Sequence, residues 1–274
     1  MNIIQLTPQQ LHLLKEQGEE SLKELIEQTL HPTSWMNEWQ QIASRFQLLK
    51  LLALPEEELQ AYSWNEQLIE QAVIETVQKV AEWIPIHPHL NIIIVPAKQL
   101  PWFKDVPQAL WTNGFTNSSD CIWIALPKAP DIEFLRYLIA HELHHASPSN
   151  PIYSLTNEHF PLKDWYKMEG AAEYFSLQLY EDKRWWKDTY TEEIQRAYIQ
   201  QAIQHLHTVD STIKMPLCYG DAARNLPIMI GYTFAFEAVK SYVSTNNGMN
   251  LVDLFELDAA SIVLAYEKEF VKNS

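Results

Sequence analysis

The 274-residue chain is 47% hydrophobic and 20% charged, the balance of a folded globular protein with room for one large domain or two small ones. Its net charge of −15 disfavours nucleic acid and anionic membrane as partners. Its two cysteines, Cys121 and Cys218, supply neither a disulfide framework nor a zinc spacing, and six glycines are few for a loop-rich all-β protein. The first residues lack the basic and apolar regions of a signal peptide, and no run approaches the length of a membrane span, so a cytoplasmic protein with no membrane partner is expected.

Thr7-Pro8 reads as a helix cap followed by proline at the first helical position. Leu11, Leu14, Leu22, Leu25 and Ile26 then trace an amphipathic helix to about Leu30, interrupted near Gly18. A second helix is expected from about Thr33 to Leu52, and Pro55 with three glutamates opens a third that runs to about Ile84. Residues 1–88 thus read as an N-terminal helical region whose apolar stripes serve as core, and residues 89–274 as a second domain. Leu90–Val95 is a continuous β-branched run, a buried strand ended by Pro96. A loop through Pro101, Pro107 and Asn113-Gly114 leads to a second strand, Cys121–Leu126. This strand is expected either at a sheet edge, where an extended peptide could pair with it, or as a central structural strand.

Asp131 can cap the next helix, Phe134, Leu135, Leu138 and Ile139 give it an apolar face, and Ser147-Pro148 stops it. Ser147–Lys163 is a polar loop in which His159 is a candidate for contacting substrate. Asp164–Tyr180 reads as a helix, Lys183–Lys187 as a surface turn with partly buried Trp, and Thr191–Thr208, Gly220–Tyr242 and Asp258–Val271 as further helical stretches. The expected fold is α+β and mostly helical, a small β-sheet and an active-site helix followed by a helical half.

Within the helix that Asp131 opens lies His141-Glu142-Leu143-His144-His145, which contains His-Glu-x-x-His. About 0.03 such matches are expected by accident in a chain of this length and composition. Residues four apart share one helix face, so His141 and His145 can bind one zinc ion, with Glu142 placed to take a proton from a water there. His144, three residues from His141, reads as a neighbour of the site. A catalytic zinc wants a third protein ligand and keeps one position for water. Glu169 offers that ligand, 24 residues after His145, and Gly170-Ala171-Ala172 beside it makes a smooth patch for close helix packing. Glu173, one turn on, could accept the second ring N–H of a ligand histidine and fix its tautomer. Tyr232 and Tyr219, with Arg224 behind them, are candidates for stabilising an oxyanion.

His-Glu-x-x-His followed by a second acidic motif resembles the gluzincin group of metallopeptidases. More narrowly, HELHH, then EGAAEYF, then Ile230-Gly231-Tyr232 resembles the bacterial family of predicted Zn-dependent proteases of the YjaZ type, over roughly residues 90–243. The resemblance implies a zincin-like fold and a zinc-dependent peptidase with one zinc per chain, held by His141, His145 and Glu169, with Glu142 as general base and a peptide or protein as substrate. Glu173 stands where many gluzincins have Asp. Two other functions fit the same residues: a zinc-stabilised regulatory or interaction protein, and a zinc hydrolase of non-peptide amides or esters. Glu142 argues against the first, since a structural zinc has no use for a base.

Overall fold

The computed structural model describes residues 1–31, 34–151, 160–187, 191–246 and 249–273. They divide into two compact units, residues 1–153 with 180–183, and residues 154–179 with 184–274. The fold is α+β and mostly helical, with one small mixed sheet.

That sheet belongs to the first unit and has four strands: β1 (Asn2–Gln5), β2 (Asn91–Pro96), β3 (Asn113–Ser118) and β4 (Cys121–Leu126). Their order is β1-β2-β4-β3, with β1, β2 and β4 parallel and β3 antiparallel to β4. β2 and β4 are the two strands expected from their β-branched runs. The other two are corrections. Only Ile3 and Ile4 mark β1 in the sequence, and it is a strand because it pairs residue by residue with Asn91–Ile94. β3 falls where Asn113-Gly114 predicts a loop, and its hairpin with β4 holds it extended. β4 is therefore the central strand of the two options, and the outer position next to it falls to β3.

The N-terminal helices are more broken than the periodicity predicts. α1 (Pro8–Gln17) and α2 (Glu19–Glu27) meet at Gly18, whose φ of 94° suits glycine. The expected second helix becomes α3 (Trp39–Arg45) and α4 (Leu48–Leu52), because Gln47 between them is left-handed at φ 53°. Thr33 lies outside the described residues. The expected third helix becomes α5 (Glu56–Gln60) and α6 (Glu66–Ala81), the latter restarted by Asn65, whose side chain accepts the Leu68 N–H at 3.1 Å. These helices share one core with the sheet: Leu11, Leu22, Ile42 and Leu51 pack with Ile93, Val95, Cys121 and Trp123. Phe46 stacks on Trp123 with centroids 5.6 Å apart. Alternation along β4 turns Ile122 and Ile124 to the opposite face, where α7 (Ile132–Ala146) packs on β3 and β4 with α6 against it.

The second unit is helical: α8 (Leu162–Leu179), α9 (Glu192–Gln204), α10 (Ser211–Tyr219), α11 (Ile230–Thr245) and α12 (Ala259–Asn273). α11 lies along α8. Gly170 makes that approach feasible, since a Cβ there would sit 2.2 Å from the Ala235 carbonyl oxygen on α11. The Tyr166 and Tyr198 hydroxyls meet at 2.7 Å beside Phe234, and Tyr198 donates to the Leu217 carbonyl. The helix expected from Gly220 starts only at Ile230, because Pro227 and a left-handed Met229 (φ 60°) hold the preceding stretch in a loop. Among the described residues, no helix is long and apolar enough to cross a membrane.

Candidate metal centre

α7 starts where its sequence says it should. The Asp131 side chain accepts the Phe134 N–H at 2.9 Å, and the helix ends at Ser147, whose hydroxyl donates to the Pro85 carbonyl at 3.0 Å. Its burial goes further than one apolar face, for every side chain from Tyr137 to Ala146 is buried. Three histidines and a glutamate on a fully enclosed helix are costly to bury unless they are paired or coordinated. His144 is among them, its ring 6.3 Å from that of His145.

His141 and His145 face each other across one helical turn. Their Nε2 atoms are 3.0 Å apart, with ring planes at 88°. Two nitrogens bound tetrahedrally to one zinc at about 2.0–2.1 Å would stand about 3.3 Å apart, so the pair fits a shared cation with little movement. The Asn150 side-chain amide donates to the carbonyls of His144 and His145 at 3.4 and 3.3 Å and fixes the end of that turn.

Glu142 is 5% exposed and reaches toward β3. Thr116 lies close enough to donate its one hydroxyl proton to Glu142 Oε2 at 2.7 Å or to the Glu142 main-chain carbonyl at 2.9 Å. Two residues earlier on the same strand face, a Cβ at Gly114 would sit 2.4 Å from Glu142 Oε1. Gly114 and Thr116 together form a slot for this carboxylate. Neither was legible as a site residue, because Asn-Gly and the polar residues after it signal a turn.

On α8, Glu169 and Glu173 are one turn apart and both buried, at 6% and 1% exposure. Glu173 Oε2 accepts from Arg184 at 2.8 Å, and the Arg184 guanidinium also lies over the Phe236 ring at 4.4 Å. Arg184 is 4% exposed, which corrects the surface turn expected for Lys183–Lys187. Trp186 in the same segment is also buried. Trp165, one turn before Glu169, gathers the two tyrosine candidates, with its centroid 5.1 Å from Tyr232 and 5.9 Å from Tyr219. Arg224 is turned into its own loop, 3.2 Å from Asp221 and donating to the Thr212 carbonyl. His159 lies outside the described residues.

Burial pushes the Cys121 thiol up to about 12 and that of Cys218 well above its ordinary value, with Glu169 adding to the latter. In the first unit, His141 and His145 on α7 offer facing ring nitrogens to a cation, and in the second, Glu169 on α8 offers a buried carboxylate, donor types suited to zinc.

No curated protein and no solved structure matches the chain. The family model described as predicted Zn-dependent protease (DUF2268) matches residues 69–264, a span that contains α7, α8 and the tyrosines of α10 and α11. A match over well more than half of its length, carrying a buried histidine pair at zinc spacing, means that the chain belongs to this family of predicted Zn-dependent proteases.

Proposed function

We propose that the chain is a zinc-dependent peptidase of gluzincin type with a zincin-like fold, using one zinc per chain. The observation that carries this is the pair of facing Nε2 atoms 3.0 Å apart on a buried helix, with a carboxylate next in sequence already held in a fitted slot. Support for Glu169 as third ligand is that its carboxylate is buried on α8, in the acidic motif that follows the histidine pair 24 residues on. A zinc ion held by these three would supply a Lewis acid that acidifies a water and polarises the scissile carbonyl.

The chain's own residues then divide the work. Glu142 takes the proton of the attacking water and returns it to the leaving amine. Tyr232 and Tyr219 are the candidates to donate toward the developing oxyanion. Glu173, neutralised in part by Arg184, orients a ligand histidine through its ring N–H. β3 takes the role first considered for Cys121–Leu126: it is the outer strand beside Glu142, and an extended substrate main chain can add to it.

Metal content tests this directly. About one zinc per folded wild-type chain is expected, with zinc lost or much weakened in Glu169→Ala. A well-folded wild type that has never met a chelator and still carries no zinc would sink the reading.

The slot has its own test. Thr116→Val removes the hydroxyl that holds the Glu142 carboxylate, and turnover should fall by on the order of tenfold to a hundredfold as the base loses its alignment. Thr116→Ser should recover most of it, and zinc content should not change in either variant. Equal activity in Thr116→Val and wild type would show that the hydrogen bond positions nothing that matters.

A further inference from the structure

Among the described residues β3 has a strand neighbour on one side only, and its register with β4 slips between Thr116 and Ser118, leaving Asn117 without a counterpart on β4. Asn117 is fully buried nonetheless. Its polar groups are taken by residues that come from far away in the chain. The Asn117 carbonyl accepts the Trp35 N–H at 2.9 Å, its Oδ1 accepts the Met36 N–H at 2.8 Å, and its Nδ2 donates to the Met36 carbonyl at 3.1 Å. Three bonds to the main chain of two successive residues imitate strand pairing, so Trp35 and Met36 occupy this end of the sheet edge. The clasp sits one residue from Thr116, which holds the carboxylate of Glu142. At the other end of β3, no described strand pairs with Asn113 on its outer side. Among the described residues, the edge beside Glu142 is thus clasped at one end and carries no paired strand at the other.

We propose, resting on the peptidase reading above, that the Trp35–Met36 clasp closes the β3 edge on the substrate's N-terminal side, so that the enzyme releases short N-terminal pieces and does not cut chains internally. A peptide adding antiparallel to β3, the pairing slightly more stable per residue, runs with its N-terminal residues toward Ser118 and therefore into the clasp. From Gly114, at the far side of the Glu142 slot, to Asn117 is three residues, some 10 Å of strand, so the stop leaves room for about three residues. The bond broken is an ordinary peptide C–N bond. The hydroxyl of water ends on the acyl carbon of the short piece, and the proton ends on the new amino terminus of the remainder.

The experiment uses zinc-loaded, full-length wild type on a linear peptide of about twelve residues, on the same peptide lengthened at its N-terminus, and on its head-to-tail cyclic form, with products mapped by mass spectrometry. Cuts within about three residues of the N-terminus that move outward with the extension, and a cyclic form cleaved at least tenfold more slowly, are expected. Internal or C-terminal cuts, or a cyclic peptide cleaved as fast as the linear one, would overturn the closed end while leaving the peptidase reading intact. No cleavage of any peptide by the zinc-loaded protein would overturn both. Asn117→Ala should open the clasp and raise cleavage of the cyclic peptide at least tenfold, and the wild-type comparison stands by itself if that variant does not fold. In Glu142→Gln, the same ranking of linear over cyclic peptide should appear as binding affinity, without turnover.

Discussion

Replacing Glu142 by Gln is expected to abolish hydrolysis and leave zinc in place. The amide keeps the size and shape of the carboxylate, so it still fits beside Gly114, and its oxygen can still accept from Thr116. What it loses is the ability to take a proton. General base catalysis contributes roughly 10²–10⁴-fold, and a base that must also deliver the proton to the leaving amine belongs at the upper end, so turnover should fall at least about 10³-fold. Zinc per chain should match wild type, because the ligand set does not include residue 142. Elemental analysis beside a peptide turnover assay checks both halves. Substantial peptidase activity in this variant would remove Glu142 from its role and with it the usual zincin chemistry.

The second large effect concerns stability. Glu173 and Arg184 are 1% and 4% exposed and 2.8 Å apart. Removing one partner of a buried ion pair leaves an uncompensated charge, at a cost of about 3–5 kcal/mol. Arg184→Met should therefore lower the free energy of unfolding by about that much and the melting midpoint by roughly 10 °C. Glu173→Gln combined with Arg184→Met should be clearly less destabilised than Arg184→Met alone, since no unpaired charge then remains. Urea titration of the two variants and wild type measures the difference. A loss below about 1 kcal/mol in Arg184→Met would mean that the Glu173 carboxylate is held chiefly by other groups, and the double variant would then show no recovery.

Arg184 also shows where sequence reasoning stops. It lies eleven residues from Glu173, in a run of Lys, Arg and Trp whose composition predicts a solvated turn. Burial comes from Phe236, some fifty residues on, and no local pattern encodes that contact. Gly114 and Thr116 were hidden for the same reason. Asn-Gly followed by polar residues has turn chemistry, and only pairing with β4 on one side and packing against α7 make it a strand that faces the Glu142 carboxylate. The N-terminal helices show the converse error. Their apolar periodicity was readable, but a left-handed Gln47 carries no signal in the sequence, so one expected helix is two.

The elements of the candidate centre were readable from local pattern. The four-residue spacing of His141 and His145, Glu142 beside them, the second acidic pair on a later helix and the cap at Asp131 all rest on local geometry, which repeats every 3.6 residues whatever the rest of the chain does. Long-range contacts alone put β3 at the sheet edge beside β4, hold Glu142, pair Glu173 with Arg184 and bring Trp35 and Met36 to the end of β3. Each of these depends on groups brought together from distant parts of the chain, by β-pairing, close helix packing and the burial of charge, and such pairings are selected by the whole fold and not by the residues on either side.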